Sequence, residues 1–282
     1  MRHLIQNLQL KGSSLALAVV LIALAGSGLA GPRPAGAAEV KCAIVQYSVQ
    51  EADAVGIDAD RLTAFIREAA GNGAKLIVGP EATFYRVSPW SQNNVTILQL
   101  AQEFEALKTR FSTLASQLGV AIVIGLFEPS GDELKPVHNT ALFIGPDGAV
   151  LGRHRKVVLA DEEYDFGKAG KEAEGDGSPF ATPFGRVGML IGKDMRTTYW
   201  PDTLAAKGMD LFIGIAADPA RGWQAVVHGC LKASCPGIAA NQYSASATAP
   251  LAGKSGFVTP NGACIRDAGA EEKIIYATLP LK

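Results

Sequence analysis

The 282-residue chain has almost no charge excess of either sign: 26 Lys and Arg against 27 Asp and Glu leave a formal net charge of −1. A polyanion-binding surface needs clustered basic excess, so no nucleic-acid partner is expected. Disorder requires low hydrophobicity together with high net charge, and 48% hydrophobic residues argue for a folded chain with a sizeable core. Cysteine is scarce. Cys42, Cys230, Cys235 and Cys264 include no C-x-x-C pair, so they read as buried small hydrophobes. One pair could bridge in an oxidising compartment, and the spacing does not say which. The 4 histidines are scattered and form no H-E-x-x-H, so no metal is implied. Nor is there a G-x-x-x-x-G-K-[ST] phosphate loop, a G-x-G-x-x-G after a strand or a G-x-S-x-G elbow, so no organic cofactor is suggested.

Long apolar runs are also missing. The run from Leu15 to Ala25 falls short of the about 20 residues that cross a bilayer. Arg2, His3 and Lys11 precede it and small residues follow, with Ala35-Gly36-Ala37 the best A-x-A site and Gly28-Leu29-Ala30 the second. That layout predicts a cleavable export signal over 1–37, a mature domain over 38–282, and a periplasmic or secreted product with no stable membrane span. An uncleaved anchor is the other reading of the same run. No twin arginine precedes it, and no cysteine follows at a lipid-attachment position.

What the chain does have is an alternation of short apolar runs with amphipathic segments, the pattern of strands interleaved with helices. Val40 to Tyr47 reads as a strand. Leu62, Phe65, Ile66 and Ala69 form a helical stripe stopped at Gly71-Asn72-Gly73, with a strand at Lys75 to Val78. Phe104, Leu107, Phe111, Leu114 and Leu118 are spaced 3, 4, 3, 4, which predicts a helix ending at Gly119, and Val120 to Ile124 follows as strand. Thr140 to Ile144 and Ala149 to Arg153 flank Pro146-Asp147-Gly148 as a hairpin. The polar stretch Ala160 to Ser178 wraps the surface or lines a mouth. Beyond it come strands at Arg186–Ile191, Leu211–Ile215 and Ile238–Asn241, helices at Trp200–Lys207 and Trp223–Ser234, and mostly strand from Ser255 on. No repeat or linker divides the domain.

Reactive groups in such proteins collect where strands end, because the sheet holds them still while loops admit ligand. Glu81 stands just past one strand, Lys156 ends the hairpin, and Asp194 and Arg196 follow Arg186–Ile191. Singly, each has a plain explanation: Glu81 is a cap or surface charge, Lys156 belongs to a solvated basic run, and Asp194 caps the helix near Trp200.

Their joint order says more. The blocks Leu76-Ile77-Val78-Gly79-Pro80-Glu81, Asn139-Thr140-Ala141, Pro146-Asp147-Gly148, Arg155-Lys156-Val157-Val158-Leu159 and Gly188-Met189-Leu190-Ile191-Gly192-Lys193-Asp194-Met195-Arg196 resemble the nitrilase superfamily of carbon-nitrogen hydrolases. Gly208-Met209-Asp210-Leu211, Ala240-Asn241-Gln242, Gly253-Lys254-Ser255 and Pro260-Asn261-Gly262 agree with it. No block is specific alone; order and spacing together are. The resemblance implies a single-domain α/β fold, an αββα sandwich, that pairs into homo-oligomers. It implies a small-molecule amide or nitrile as substrate, Glu81 as general base and Lys156 as stabiliser of the tetrahedral intermediate. Glu163, with Glu162 next, matches a second glutamate that orients substrate. The chain ends soon after its last strand, without the tail with which many such proteins brace the dimer.

The same resemblance exposes a departure. The family's nucleophilic cysteine stands two residues before the aspartate, and here that position is Gly192. Lys193 replaces a common aromatic residue, and Tyr199 a frequent acidic one. Thr197, Thr198 and Ser255 are the nearby hydroxyls, although Ser255 also belongs to a Gly-x-Ser turn. Three functions fit: an amidase- or nitrilase-type hydrolase impaired by the lost thiol, an inactive member that binds a small amide, acid or protein partner, or a cysteine hydrolase whose cysteine was substituted at Gly192.

Overall fold

A computed structural model describes residues 38–48, 55–85, 94–218, 223–245 and 250–281. Residues 1–37, over which an export signal is expected, and residues 88–93 of the Ser88–Thr96 loop lie outside them. The chain runs β1 (Ala38–Gln46), α1 (Val55–Gly71), β2 (Leu76–Val78), α2 (Asn94–Gln102), α3 (Phe104–Leu118), β3 (Ala121–Pro129), β4 (Val137–Ile144) and β5 (Val150–Arg155). It continues β6 (Phe180–Thr182), β7 (Gly185–Ile191), α4 (Tyr199–Ala206), β8 (Leu211–Ala216), α5 (Trp223–Ala233) and β9 (Gly237–Asn241). The pair β10 (Tyr243–Ser244) and β11 (Leu251–Ala252) precedes β12 (Gly256–Val258), β13 (Cys264–Asp267) and β14 (Lys273–Leu281).

Two six-stranded sheets result, ordered β14-β1-β2-β3-β4-β5 and β13-β12-β9-β8-β7-β6. Each is parallel at its centre, β1-β2-β3 and β7-β8-β9, and antiparallel outside. The inner faces close on each other: Ile44, Val78, Val123 and Phe143 pack with Val187, Ile191, Ile213 and Phe257. Helices α1, α2 and α3 cover the outer face of the first sheet, and α4 and α5 that of the second. Strands covered on both faces are largely apolar, and β3 is buried from Ala121 to Glu128. This is the expected αββα sandwich.

Helix α3 buries Phe104, Leu107, Phe111 and Leu114 and stops where Gly119 turns left-handed at φ 62°, its N–H donating to Ala115 O. Two elements exceed the expectations. Helix α2 forms despite the β-branched Val95-Thr96-Ile97, because Ile97, Leu100 and Ala101 are buried in the outer core, and tertiary burial outweighs a weak propensity. Strand β3 runs on to Pro129 because β4 pairs with it from Ile122 to Pro129, carrying it past Gly125 and Glu128. One reading is corrected: Cys42, Cys230 and Cys235 are buried, but Cys264 is exposed on the edge strand β13.

Phe143 is completely enclosed between the sheets, its ring edge-on to Phe180 at 5.7 Å and tilted against Phe184 at 6.4 Å. Truncating it leaves a cavity that surrounding strands cannot collapse into. We expect Phe143→Ala to lower unfolding free energy by about 3–5 kcal/mol, measured by urea denaturation; a loss below about 1 kcal/mol would contradict a close-packed inter-sheet core.

Candidate active site

The ends of the central parallel strands converge on one side of the sandwich. The loop after β2 carries Glu81 through a turn in which Ala82 takes φ 44°. It lies directly on Gly125 of β3: a Cβ there would stand 2.7 Å from Ala82 N and Pro80 O and 2.8 Å from Glu81 Cα. Those are backbone atoms that cannot swing aside, so Gly125 is the glycine that lets Glu81 approach. Thr83 N donates to Gly125 O at 3.0 Å, and Gln242, just past β9, donates through Nε2 to the carbonyls of Ala82 at 2.9 Å and Tyr85 at 3.1 Å.

Lys156 follows β5 and is buried, not solvated with its basic neighbours. Its Nζ lies 2.9 Å from Glu81 Oε1 and 2.8 Å from Glu163 Oε2. Glu163 comes from a 3-10 turn over Asp161–Glu163 and also accepts from Ala160 N at 2.6 Å. Asn139 on β4 donates through Nδ2 to both carboxylates, at 2.8 Å to Glu81 and 2.9 Å to Glu163. From the second sheet, Ala217 N at the end of β8 donates to Glu81 Oε2 at 2.8 Å. Thus Glu81, Lys156 and Glu163 meet in space. The side chain of Glu162, the next candidate, lies outside the described residues.

Burial pushes the Glu81 carboxyl above the usual glutamate range, and the Glu163 charge adds to the rise while the Lys156 ammonium opposes it. For Lys156 burial acts downward, but the charges of Glu81 and Glu163 outweigh it and hold the ammonium above its ordinary range.

Gly192 directly follows β7 beside this cluster with φ 45°, a left-handed backbone that glycine adopts without strain. A Cβ on it would stand 2.6 Å from Glu81 Oε2 and 2.9 Å from Oε1. The carboxylate therefore occupies the space into which a side chain at 192 would project. Asp194 does not cap the helix near Trp200. It is fully buried, accepts from Val157 N at 3.0 Å and Val158 N at 2.6 Å through Oδ1, and pairs with His154 Nε2 at 2.8 Å through Oδ2. Gly177 N donates to His154 Nδ1, leaving Nε2 as the nitrogen that donates to Asp194. The aspartate thereby ties the Gly192 turn to the residues following Lys156.

A cavity of about 290 Å³ opens over these groups, with Tyr85 and Phe127 on its wall and Lys193, Arg196, Asp161 and Asp218 at its mouth. Lys193 pairs with Asp161 at 2.6 Å and Arg196 with Asp218 at 3.0 Å. No cysteine lines the cavity, and neither do Thr197 and Thr198, which are exposed. Ser255 Oγ is engaged with Asn241, accepting from its N at 2.9 Å and donating to its O at 3.2 Å, so its turn role holds. Among the described residues no three His, Cys, Asp or Glu side chains are placed to hold a metal. Sequence patterns did not single out His154, Gly125 or Ala217 as part of this site. Asn139 and Gln242 lay within the quoted blocks.

A family model described as carbon-nitrogen hydrolase matches residues 41–282. Omega-amidase NIT2 of Danio rerio is 29% identical over 260 residues, covering 86% of this chain and 88% of that protein. Nitrilase 3 of Arabidopsis thaliana is 30% identical over 223 residues, 72% of this chain, but the match spans only 62% of that protein. Among solved structures, a carbon-nitrogen hydrolase from Helicobacter pylori superimposes with TM-score 0.77 at 21% identity, covering 86% of this chain and 89% of the other. An amidase from Nesterenkonia sp. does so with TM-score 0.74 at 22% identity, covering 89% and 93%. A mutant of that amidase was solved in complex with butyramide.

Removing the cation from this cluster leaves two carboxylates without a counter-charge. We expect Lys156→Met to lower unfolding free energy by about 3–5 kcal/mol near neutral pH. The loss should shrink on acidification: without the ammonium the Glu81 carboxyl rises further above its unfolded value, so stability is fullest at low pH and is lost as pH rises through that range. Urea titrations carried from acidic to neutral pH check this. A pH-independent loss would refute the electrostatic account.

Proposed function

Because this chain belongs to the carbon-nitrogen hydrolase family, we propose that it is an exported member whose cavity receives a small non-peptide amide or nitrile and whose hydrolysis is impaired by the missing thiol. The meeting of Glu81, Lys156, Glu163 and Gly192 at one cavity carries this reading. Glu81 serves as general base, Lys156 faces the developing oxyanion, and Glu163 holds Lys156 and orients the substrate. Asn139 lines the cavity and holds the Glu81 and Glu163 carboxylates in register through Nδ2.

Gly192 supplies no atom for an acyl-enzyme, so cleavage in this chain runs through water. Glu81 takes a proton as the water oxygen adds to the carbonyl carbon, and the proton leaves with the amine as the C–N bond breaks. Loss of a nucleophile from a working set costs on the order of 10⁴–10⁶ in turnover. A second reading, a pure binder, is favoured by one observation: the Glu81 carboxylate stands where the missing side chain would be. The apolar run Leu15–Ala25 and the A-x-A site at Ala35–Ala37 support export.

Two measurements test these readings. With butyramide as probe, the unaltered chain should show no iodoacetamide-sensitive turnover. Gly192→Cys should gain thiol-dependent turnover on the order of 10²–10⁴-fold and label at position 192, once Glu81 withdraws to admit the new side chain. Turnover by the unaltered chain at the rates of cysteine-dependent amidases would exclude both the impaired and the binder readings. An inert, unlabelled Gly192→Cys variant on a panel of amides and nitriles would count against a catalytic pocket. Independently, N-terminal sequencing of the protein recovered from an exporting bacterial host should begin near Ala38; a product retaining Met1 in the cytosolic fraction would overturn export.

A further inference from the structure

Helix α5 ends in an unusual way. Ser234, directly after Ala233, is left-handed at φ 51°, a conformation that glycine ordinarily supplies. Cys235 N then donates to Cys230 O at 3.2 Å. A bond from the second residue past the cap back to the third residue before it is the six-to-one bond of a Schellman motif, in which these same two positions place their side chains in contact. Here both are cysteines, both are buried in the core beneath α4 and α5, and their thiols hydrogen-bond each other. The contact is tightly enclosed: a Cβ on Gly237 would run into Cys230 Sγ.

We propose that Cys230 and Cys235 form an intrachain disulfide that staples the end of α5, leaving Cys42 and Cys264 as free thiols. The alternative partners are poorly placed. Cys42 lies between the two sheets, in a different core cluster from Cys230 and Cys235, and Cys264 is exposed on the edge strand β13. In the reaction both thiols lose a proton and an electron and a new S–S bond forms; a disulfide oxidant, such as glutathione disulfide, accepts both and is reduced to two thiols. The bond has to form before the helix end is packed. Its hydrogen bond with Cys235 and its burial hold the Cys230 thiol far above the ordinary range, so the folded, reduced pair exchanges poorly. A covalent tie at this point also holds Ser234 in its strained conformation. Where the bond forms in the cell rests on the export reading, but whether the two sulfurs can join does not.

The test refolds the full chain from denaturant in a glutathione/glutathione disulfide mixture, alkylates it under denaturing conditions with a maleimide, and maps non-reduced peptides. We expect the Cys230–Cys235 cross-link in nearly all chains and label on Cys42 and Cys264 alone, with four labelled cysteines after reduction. Reduction should lower Tm by roughly 4–8 °C, a shift absent from Cys235→Ala. Four labelled cysteines without reduction, a bridge to Cys42 or Cys264, or a cross-link in Cys235→Ala would overturn the proposal. The same map on protein recovered from an exporting host separates the two readings: a reduced pair there, beside an intact bridge after refolding, would count against export and not against the pairing.

Discussion

Lys156 is the point on which the rest of the site depends. Its ammonium sits between two buried carboxylates contributed by segments far apart in sequence, at 2.9 Å from Glu81 and 2.8 Å from Glu163. Asn139 locks both carboxylates from β4, and Ala217 reaches Glu81 from the other sheet. A buried ion pair gains little stability over well-packed apolar groups of the same volume, because desolvation consumes most of the Coulomb attraction. What the triad supplies is a fixed relation among three loops and two sheets. Breaking it costs more than forming it gains, and that asymmetry makes the arrangement rigid.

Support for this cluster comes from residues that do no chemistry of their own. Gly125 permits the Glu81 loop to lie on β3 with backbone against backbone. Gln242 gathers that loop's carbonyls from the end of β9, and Asp194 takes the N–H groups that follow Lys156 while receiving His154. Each charged group is thus oriented by neighbours whose own rotamers are held by hydrogen bonds, the condition for placing reactive atoms to within a fraction of an ångström. Gly192 lies at the centre of these supports and contributes only backbone.

Much of the fold was legible because its signals are local. The 3, 4, 3, 4 spacing in α3, the Gly119 stop and the Pro146-Asp147-Gly148 turn each report a geometry confined to a few residues. Helix α2 was not legible, since Val95-Thr96-Ile97 favours extended backbone and only the outer core makes it helical. The site divides in the same way. Glu81, Lys156, Glu163 and Gly192 could be picked out by order along the chain, whereas Gly125, His154 and Ala217 matter through contacts with residues 23 or more positions away, as in Gly177 to His154. The plain reading of Asp194 as a helix cap failed for a related reason. A buried acceptor takes the nearest unsatisfied N–H groups, and those belong to Val157 and Val158, 37 and 36 residues earlier.

The charge count at the floor of the cavity decides how the site can behave. Two carboxylates face one ammonium, so one negative charge is surplus, and burial makes holding it expensive. Burial and, after it, the Glu163 charge hold the Glu81 carboxyl above its ordinary range. Such a group is a better proton acceptor once ionised than an exposed glutamate, because its conjugate acid is weaker. It is also ionised in a smaller fraction of molecules at a given pH, a loss that the Lys156 ammonium and the Ala217 N–H limit. In a site with a thiol, base strength is spent on making a sulfur nucleophile. Gly192 offers this base no side-chain proton to remove, and on the water-mediated reading proposed above the same base strength acts on a reactant far harder to activate. The geometry therefore brings the ionisable groups together beside a position, 192, that contributes backbone alone.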